Sequence, residues 1–178
     1  EPKDDRGVSF LKIEHKNGDD EMRMWLPAFK RVRRISAKKK GDSFMGSDLS
    51  FEDLSNRDIE YNNYKRLDDE MVNKVDCFVL ETQPKKEAKS SYSKHVSWID
   101  KKTLNLLQEN SYDKRGELEK EKVFEYQSMK SYYILKRVFV NNLLEQHSTE
   151  VIITDIVADK GIEDDLFHEK NLKRLPRE

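Results

Sequence analysis

The chain has 178 residues, 35% apolar and 39% charged, with 34 basic against 35 acidic residues and a net charge of −1. That length supports one domain with a core, and the aromatic and β-branched content is too high for a disordered chain. The balanced charge gives no global field to steer nucleic acid, and no apolar run approaches the roughly 20 residues of a spanning helix. Cys77 is alone, which excludes an internal disulfide and a cysteine-based metal cluster. The sequence starts at Glu1 with neither Met nor a signal peptide, so a processed or truncated chain is expected and no leader reports the compartment.

Segments with a period of two, separated by turn chemistry, follow one another along the chain. Residues 8–15 (VSFLKIEH) read as a strand. The Lys16-Asn17-Gly18-Asp19-Asp20 string reads as a hairpin turn, because Asn-Gly tolerates positive φ. Residues 21–26 (EMRMWL) return, with Met22, Met24 and Leu26 on one face and Arg23 and Trp25 on the other. Pro27 ends that pairing, since it has no ladder donor. Residues 30–36 form a basic third strand, and 37–42 a Lys-rich loop. Further strands are predicted over 59–66, 74–83, 94–100, 103–111, 118–129, 132–141 and 150–157. The Tyr112-Asp113-Lys114-Arg115-Gly116 string is another hairpin turn, and 84–93 is the best candidate for a mobile loop.

Helix is scarce. Ser50 can open a short turn to Leu54, with Glu52 and Asp53 near its N-terminus. Residues 164–171 and, more weakly, 68–73 are the other candidates. The pattern predicts a mainly β chain: a strongly curved antiparallel meander with a few short helices over its concave face. The lean apolar content predicts that only one sheet face is buried.

The stretch 29–54 (FKRVRRISAKKKGDSFMGSDLSFEDL) is the most specific part of the sequence. Its basic strand, with Lys30, Arg31, Arg33 and Arg34, fits either a phosphate-bearing partner such as lipid headgroups or a solvated face that blocks edge pairing. Nucleic acid is excluded as a partner, because aromatics are not interleaved with the cations as in a stacking platform. Phe44 and Met45 fit either an apolar flap at a cavity mouth or a loop pinned by its own buried ring. Phe51 and Leu54, three residues apart on a turn, are expected to point with them at the concave face. Met22, Met24, Leu26 and Trp98 are expected to line that face, as cavity wall or as core. His15, His95, His147 and His168 lack metal-ligand spacing and read as surface residues, while Cys77 reads as a small buried hydrophobe. No nucleophile elbow, phosphate-cradling loop or metal motif is present, so no catalytic residue, metal or cofactor is predicted.

The strings Trp25-Leu26-Pro27-Ala28-Phe29-Lys30-Arg31-Val32-Arg33-Arg34-Ile35 and Gly41-Asp42-Ser43-Phe44-Met45-Gly46-Ser47-Asp48-Leu49-Ser50-Phe51-Glu52-Asp53-Leu54 resemble the LolA-like family, in its branch of outer membrane lipoprotein-sorting proteins. Val96-Ser97-Trp98-Ile99-Asp100, Tyr112-Asp113 with Gly116, Asp165-Leu166-Phe167 and Asn171-Leu172-Lys173-Arg174 extend the likeness over nearly the whole chain. The resemblance implies an incomplete antiparallel β-barrel whose covering helices trap acyl chains or other hydrophobic ligands against the sheet. It also implies a helix and first strands ahead of residue 1, so residues 1–178 are expected to be a single LolA-like domain lacking its amino-terminal part.

The function expected on this basis is a non-enzymatic lipoprotein or lipid carrier in the periplasm of a Gram-negative-type bacterium, not an integral membrane protein. Its expected partners are lipoprotein acyl chains or other lipid, with an envelope exporter or an outer-membrane acceptor protein as candidate protein partners. The alternative is an interaction or accessory domain of an envelope export system that carries no lipid.

Overall fold

The computed structural model describes residues 6–15 and 20–174, which form two compact units, Glu1–Lys40 with Val157–Glu178, and Gly41–Ile156. The first unit is built on a three-stranded antiparallel sheet of β1 (Ser9–Ile13), β2 (Glu21–Leu26) and β3 (Arg31–Ile35), with β2 in the middle. The hairpin turn expected at 16–20 lies, apart from Asp20, outside the described residues. Pro27 stops β2 as expected and opens a 3-10 turn, Pro27–Phe29, after which Lys30 takes a left-handed conformation (φ 48°) that turns the chain into β3.

Pairing across the first sheet sets Met24 opposite Phe10 and Arg33, and Met22 opposite Lys12 and Ile35. Met22, Met24 and Ile35 share one face and are buried, as the period of two requires. The other face carries Leu11, Arg23 and Trp25. There the carboxyl-terminal segment docks: Ser9 donates to the Leu172 carbonyl, Arg23 pairs with Glu169, and Lys173 lies 5.4 Å from the Trp25 ring centre. The helix expected over 164–171 is two 3-10 turns, Asp164–Phe167 and Glu169–Asn171, parted by an extended His168.

The second unit is a seven-stranded antiparallel sheet in meander order. Its strands are β4 (Asn62–Val72), β5 (Val75–Pro84), β6 (Lys94–Asp100), β7 (Leu106–Tyr112), β8 (Leu118–Met129), β9 (Tyr132–Asn142) and β10 (His147–Ile152). β4 and β10 are edges, so the sheet is open. The register shifts in four of its six pairings, each shift adding local bend and twist. The Tyr112–Gly116 turn joins β7 to β8, with Gly116 at φ 83°.

Residues 68–73, expected as a helix, lie instead in β4 and its turn. Pairing with β5 outweighs their local propensity, and Asp68 and Asp69 fall in the register shift of this edge strand, where a charge discourages further pairing. Burial is not confined to one sheet face either. Ser97, Glu109, Lys122 and Val140 occupy one face, while Cys77 and Val79 occupy the other, and all are buried. Among the described residues the helical pieces are 3-10 turns, none of them long and apolar enough to cross a membrane.

Candidate functional site

Segment 43–57 crosses one face of the seven-stranded sheet, and its contacts mark the route. Asp48 meets β10, accepting from the Thr149 hydroxyl at 2.6 Å and meeting His147 Nδ1 at 2.7 Å. Asp53 sits over β8, where Lys120 and Lys122 both reach it. Arg57 sits over β7 and donates from two nitrogens to the two Glu109 oxygens at 2.6 and 2.7 Å. Glu52 fastens the strap to the β5–β6 connection by accepting from the Ser91 amide and hydroxyl at 2.7 and 2.6 Å.

The strap holds this path partly by its own hydrogen bonds. Ser50 donates its amide and hydroxyl to Asp53 at 2.8 Å each, and Asp53 N–H returns to the Ser50 oxygen at 3.1 Å. This short turn is the one that Ser50 signals in the sequence. It aims the Asp53 carboxylate away from solvent and at the sheet.

Beneath the strap lies a buried ionic network. The register pairs Ser97 with Glu109 and Glu109 with Lys122, and on the next rung pairs His95 with Ser111 and Ser111 with Lys120. Residues paired directly across strands share a face, so these side chains converge. Tyr92 donates to Asp53 at 2.9 Å while accepting from Lys120 at 2.8 Å, and Ser97 donates to Glu109 at 3.0 Å. The side chains of Asp53, Glu109 and Lys122 are only 2–3% exposed.

Burial opposes ionisation of Asp53, but Lys122 and Lys120 beside it hold its carboxyl well below the usual range. Burial likewise opposes ionisation of Glu109, which Arg57 and Lys122 nevertheless bring down to about 2. His95, 1% exposed, is pushed down to about 3 by burial and by the Arg57 charge. It is thus a neutral core residue and not the surface histidine that the sequence suggests. His95 Nδ1 lies 2.9 Å from the Ser111 hydroxyl and 3.3 Å from an Arg57 nitrogen, which can only donate to it, while the buried Nε2 meets no hydrogen-bond partner among the described residues.

On the same sheet face the polar rungs give way to apolar ones. Phe78 pairs with Ile99, Phe124 with Val138, Val138 with Val151, and Tyr126 with Leu135. Leu49 of the strap seats against Val138 and Val140 within this band. Ile99, Phe124, Tyr126 and Leu135 remain half-buried, and Phe78 is 37% exposed. By contrast, the cavity of about 560 Å³ beside the strap is polar, lined by Asp48, Glu119, Lys120, Asn142, Glu145 and His147 among others.

The residues singled out from sequence divide between these places. Met22, Met24 and Leu26 belong to β2 of the first unit, with Met22 and Met24 buried and Leu26 half-buried. Trp98 lies on the sheet face opposite the strap, paired with Val79 and Gln108, and donates its indole N–H to Glu70 at 2.8 Å. In the strap, Phe51 is buried and packs edge-to-face with half-buried Phe44 at 5.5 Å, whereas Met45 and Leu54 are exposed. The 84–93 connection, expected to be mobile, is pinned by Tyr92, which is 1% exposed.

Sequence reasoning missed Leu49, Asp53, Tyr92, His95, Glu109, Lys120 and Lys122. Charged residues two apart on a strand, such as Lys120 and Lys122, carry the signature of a solvated face, and nothing local reports the strap above them. Among the described residues no group of three or more His, Cys, Asp or Glu has metal-holding geometry.

A family profile described as "Uncharacterized protein" matches residues 1–174. No curated protein matches the chain. Among solved structures, a domain described as a candidate outer membrane lipoprotein-sorting protein, from Vibrio parahaemolyticus, is 37% identical with a TM-score of 0.91; the match covers 98% of this chain and 74% of that one. A DUF1329 family protein from Desulfovibrio piger is 34% identical with a TM-score of 0.90, covering 97% of this chain and 73% of that one. A LolA superfamily protein from Nitrosomonas europaea shares the fold, with a TM-score of 0.62 at 12% identity over 92% of this chain and 88% of that one.

Proposed function

The chain belongs to the family of outer membrane lipoprotein-sorting-like and DUF1329 proteins, with the LolA-like fold, and from that premise we propose that it is a periplasmic, non-enzymatic carrier of an acyl chain or other hydrophobic ligand. The observation that supports this reading is the half-covered apolar band of the strap face, running through Phe78, Ile99, Phe124, Tyr126 and Leu135. An acyl chain laid on it gains roughly 0.8 kcal/mol per buried CH₂. The reading takes residues 1–178 as one LolA-like domain and places the ligand on the apolar band, with the ionic network as the anchor of the strap. Lipoprotein acyl chains are the proposed cargo, delivered by an envelope exporter or passed to an outer-membrane acceptor.

The test is a titration of delipidated protein with a fluorescent fatty acid, beside mass spectrometry of lipid that co-purifies under native conditions. Phe78→Glu places a charge on an already exposed band position and should weaken the probe about tenfold or more without moving the thermal melt. Native protein free of lipid, with probe affinity unchanged by Phe78→Glu, would overturn the carrier reading. A second reading, an interaction or accessory domain of an export system, is favoured by the ionic network that fills the contact between strap and sheet; it expects no co-purifying lipid.

A further inference from the structure

We propose that β3 and the 3-10 turns on either side of it form a docking surface for an anionic phospholipid bilayer. Between Glu21 and Asp42 the chain has no acidic residue and eight cations: Arg23, Lys30, Arg31, Arg33, Arg34, Lys38, Lys39 and Lys40. Arg23 is committed to Glu21 and Glu169. Lys30, Arg31, Arg33, Arg34, Lys38 and Lys39 are all exposed, and Arg34 adds a minor attraction to Glu21. β3 is an outer strand, so side chains of both parities can swing past its free edge on their flexible stems.

An apolar residue completes the surface. Phe29, at the end of the first turn, is 66% exposed, with the Arg31 guanidinium 5.4 Å from its ring centre. The arrangement is a row of cations along a strand of roughly 17 Å, with an aromatic ring at one end. Anionic headgroups offer charge to the row, and the interfacial layer of a bilayer accepts such a ring.

Edges are protected against pairing by scattered charges, a bulge or a proline, whereas here six exposed cations follow one another without an interspersed acid. A nucleic-acid surface would interleave stacking aromatics, whereas Phe29 stands at the end of the run. The surface also explains how a chain with a net charge of −1 can meet an anionic membrane, because the approach is local. Nothing in this proposal depends on a bound ligand, so it stands or falls apart from the carrier reading.

The experiment is co-sedimentation of the whole chain with vesicles of phosphatidylglycerol and phosphatidylcholine, against vesicles of phosphatidylcholine alone, over a salt series. Binding should favour the anionic vesicles and fade with salt. The triple variant Arg31→Glu, Arg33→Glu, Lys38→Glu should bind roughly a hundredfold or more weakly. Lys65→Glu, Lys74→Glu, Lys136→Glu makes the same change in net charge at exposed positions on strands and a turn of the second unit and should bind like the parent. Phe29→Ser should weaken binding while keeping its salt dependence. A circular dichroism melt checks that each variant folds. Equal partition onto both vesicle types, or equal loss in the two triple variants, would overturn the proposal, as would capture of an acidic protein without any vesicle binding.

Discussion

Tyr92 donates its phenolic hydrogen to Asp53 at 2.9 Å across thirty-nine residues of sequence, joining the β5–β6 connection to the middle of the strap. The same carboxylate is met by Lys120 and Lys122 from β8, whose ammonium groups lie 5.4 and 5.3 Å from the Tyr92 ring centre. A buried ion pair is not in itself a strong source of stability, since desolvation offsets much of the attraction. Breaking one is a different matter, because the partner charge stays behind.

Asp53→Asn removes the negative charge and keeps the shape, so two buried lysines lose their shared counter-ion. The expected cost is about 3–5 kcal/mol, read by urea denaturation. Leu54→Ala, one residue along at an exposed position, should cost less than about 0.5 kcal/mol. Similar costs for the two would show that the strap does not depend on its ionic seat.

Much of the fold was legible because strand alternation is a local signal. Residues 21–26, 94–100 and 118–129 were bounded from sequence as they stand in the structure, and Pro27 and Gly116 punctuate the chain where their chemistry says they should. Residues 68–73 were misread because an edge strand with a register shift carries charges that mimic a helix surface. The ionic core was illegible for a deeper reason: Glu109 and Lys122 are strand residues of ordinary solvent-face type, made interior only by a strap contributed from more than fifty residues away. Phe51 was expected to turn inward together with Phe44, Met45 and Leu54, and only the route of the strap decides that Phe51 and Leu49 are buried while Met45 and Leu54 are not.

Stability should depend on pH through both His95 and Glu109, with His95 acting alone above pH 4.5 and the two overlapping below it. His95 is faced by Arg57, Glu109, Lys122, Asp53, Tyr92 and Ser111, and is held neutral with its pKa down at about 3 from an ordinary 6.5. The unfolded chain takes up that proton below about pH 6.5 and the folded chain does not, so this contribution is complete above pH 6.5 and declines as the pH falls toward 3. Glu109, lowered from 4.5 to about 2, contributes fully above pH 4.5 and is lost as the pH falls through 2. His95→Gln should therefore flatten the stability profile between pH 6.5 and 4.5, where one proton sets a slope of at most about 1.4 kcal/mol per pH unit, and leave the acid decline in place. Denaturation midpoints across that range are the measurement. A parental slope retained in His95→Gln would remove His95 from the account.

Gly46 in the strap and Gly41 just ahead of it should fail for different reasons. Gly46 sits at φ 73°, beside Met45 at φ 54°, and a Cβ there would touch nothing. Gly46→Ala should cost only the left-handed strain, about 1 kcal/mol. Gly41 has the opposite constraint: an added Cβ would lie 2.7 Å from the Ser91 Cβ, and Ser91 gives Glu52 two hydrogen bonds. Gly41→Ala must therefore displace Ser91 and loosen two charge-assisted hydrogen bonds, at an expected cost of about 2–3 kcal/mol. The cause can be isolated by adding Ser91→Gly, which deletes the clashing atom while retaining the backbone donor to Glu52. The pair should then cost at least about 1 kcal/mol less than the sum of the single changes in a double-mutant cycle. Additive costs would mean that Gly41 is required for something other than its approach to Ser91.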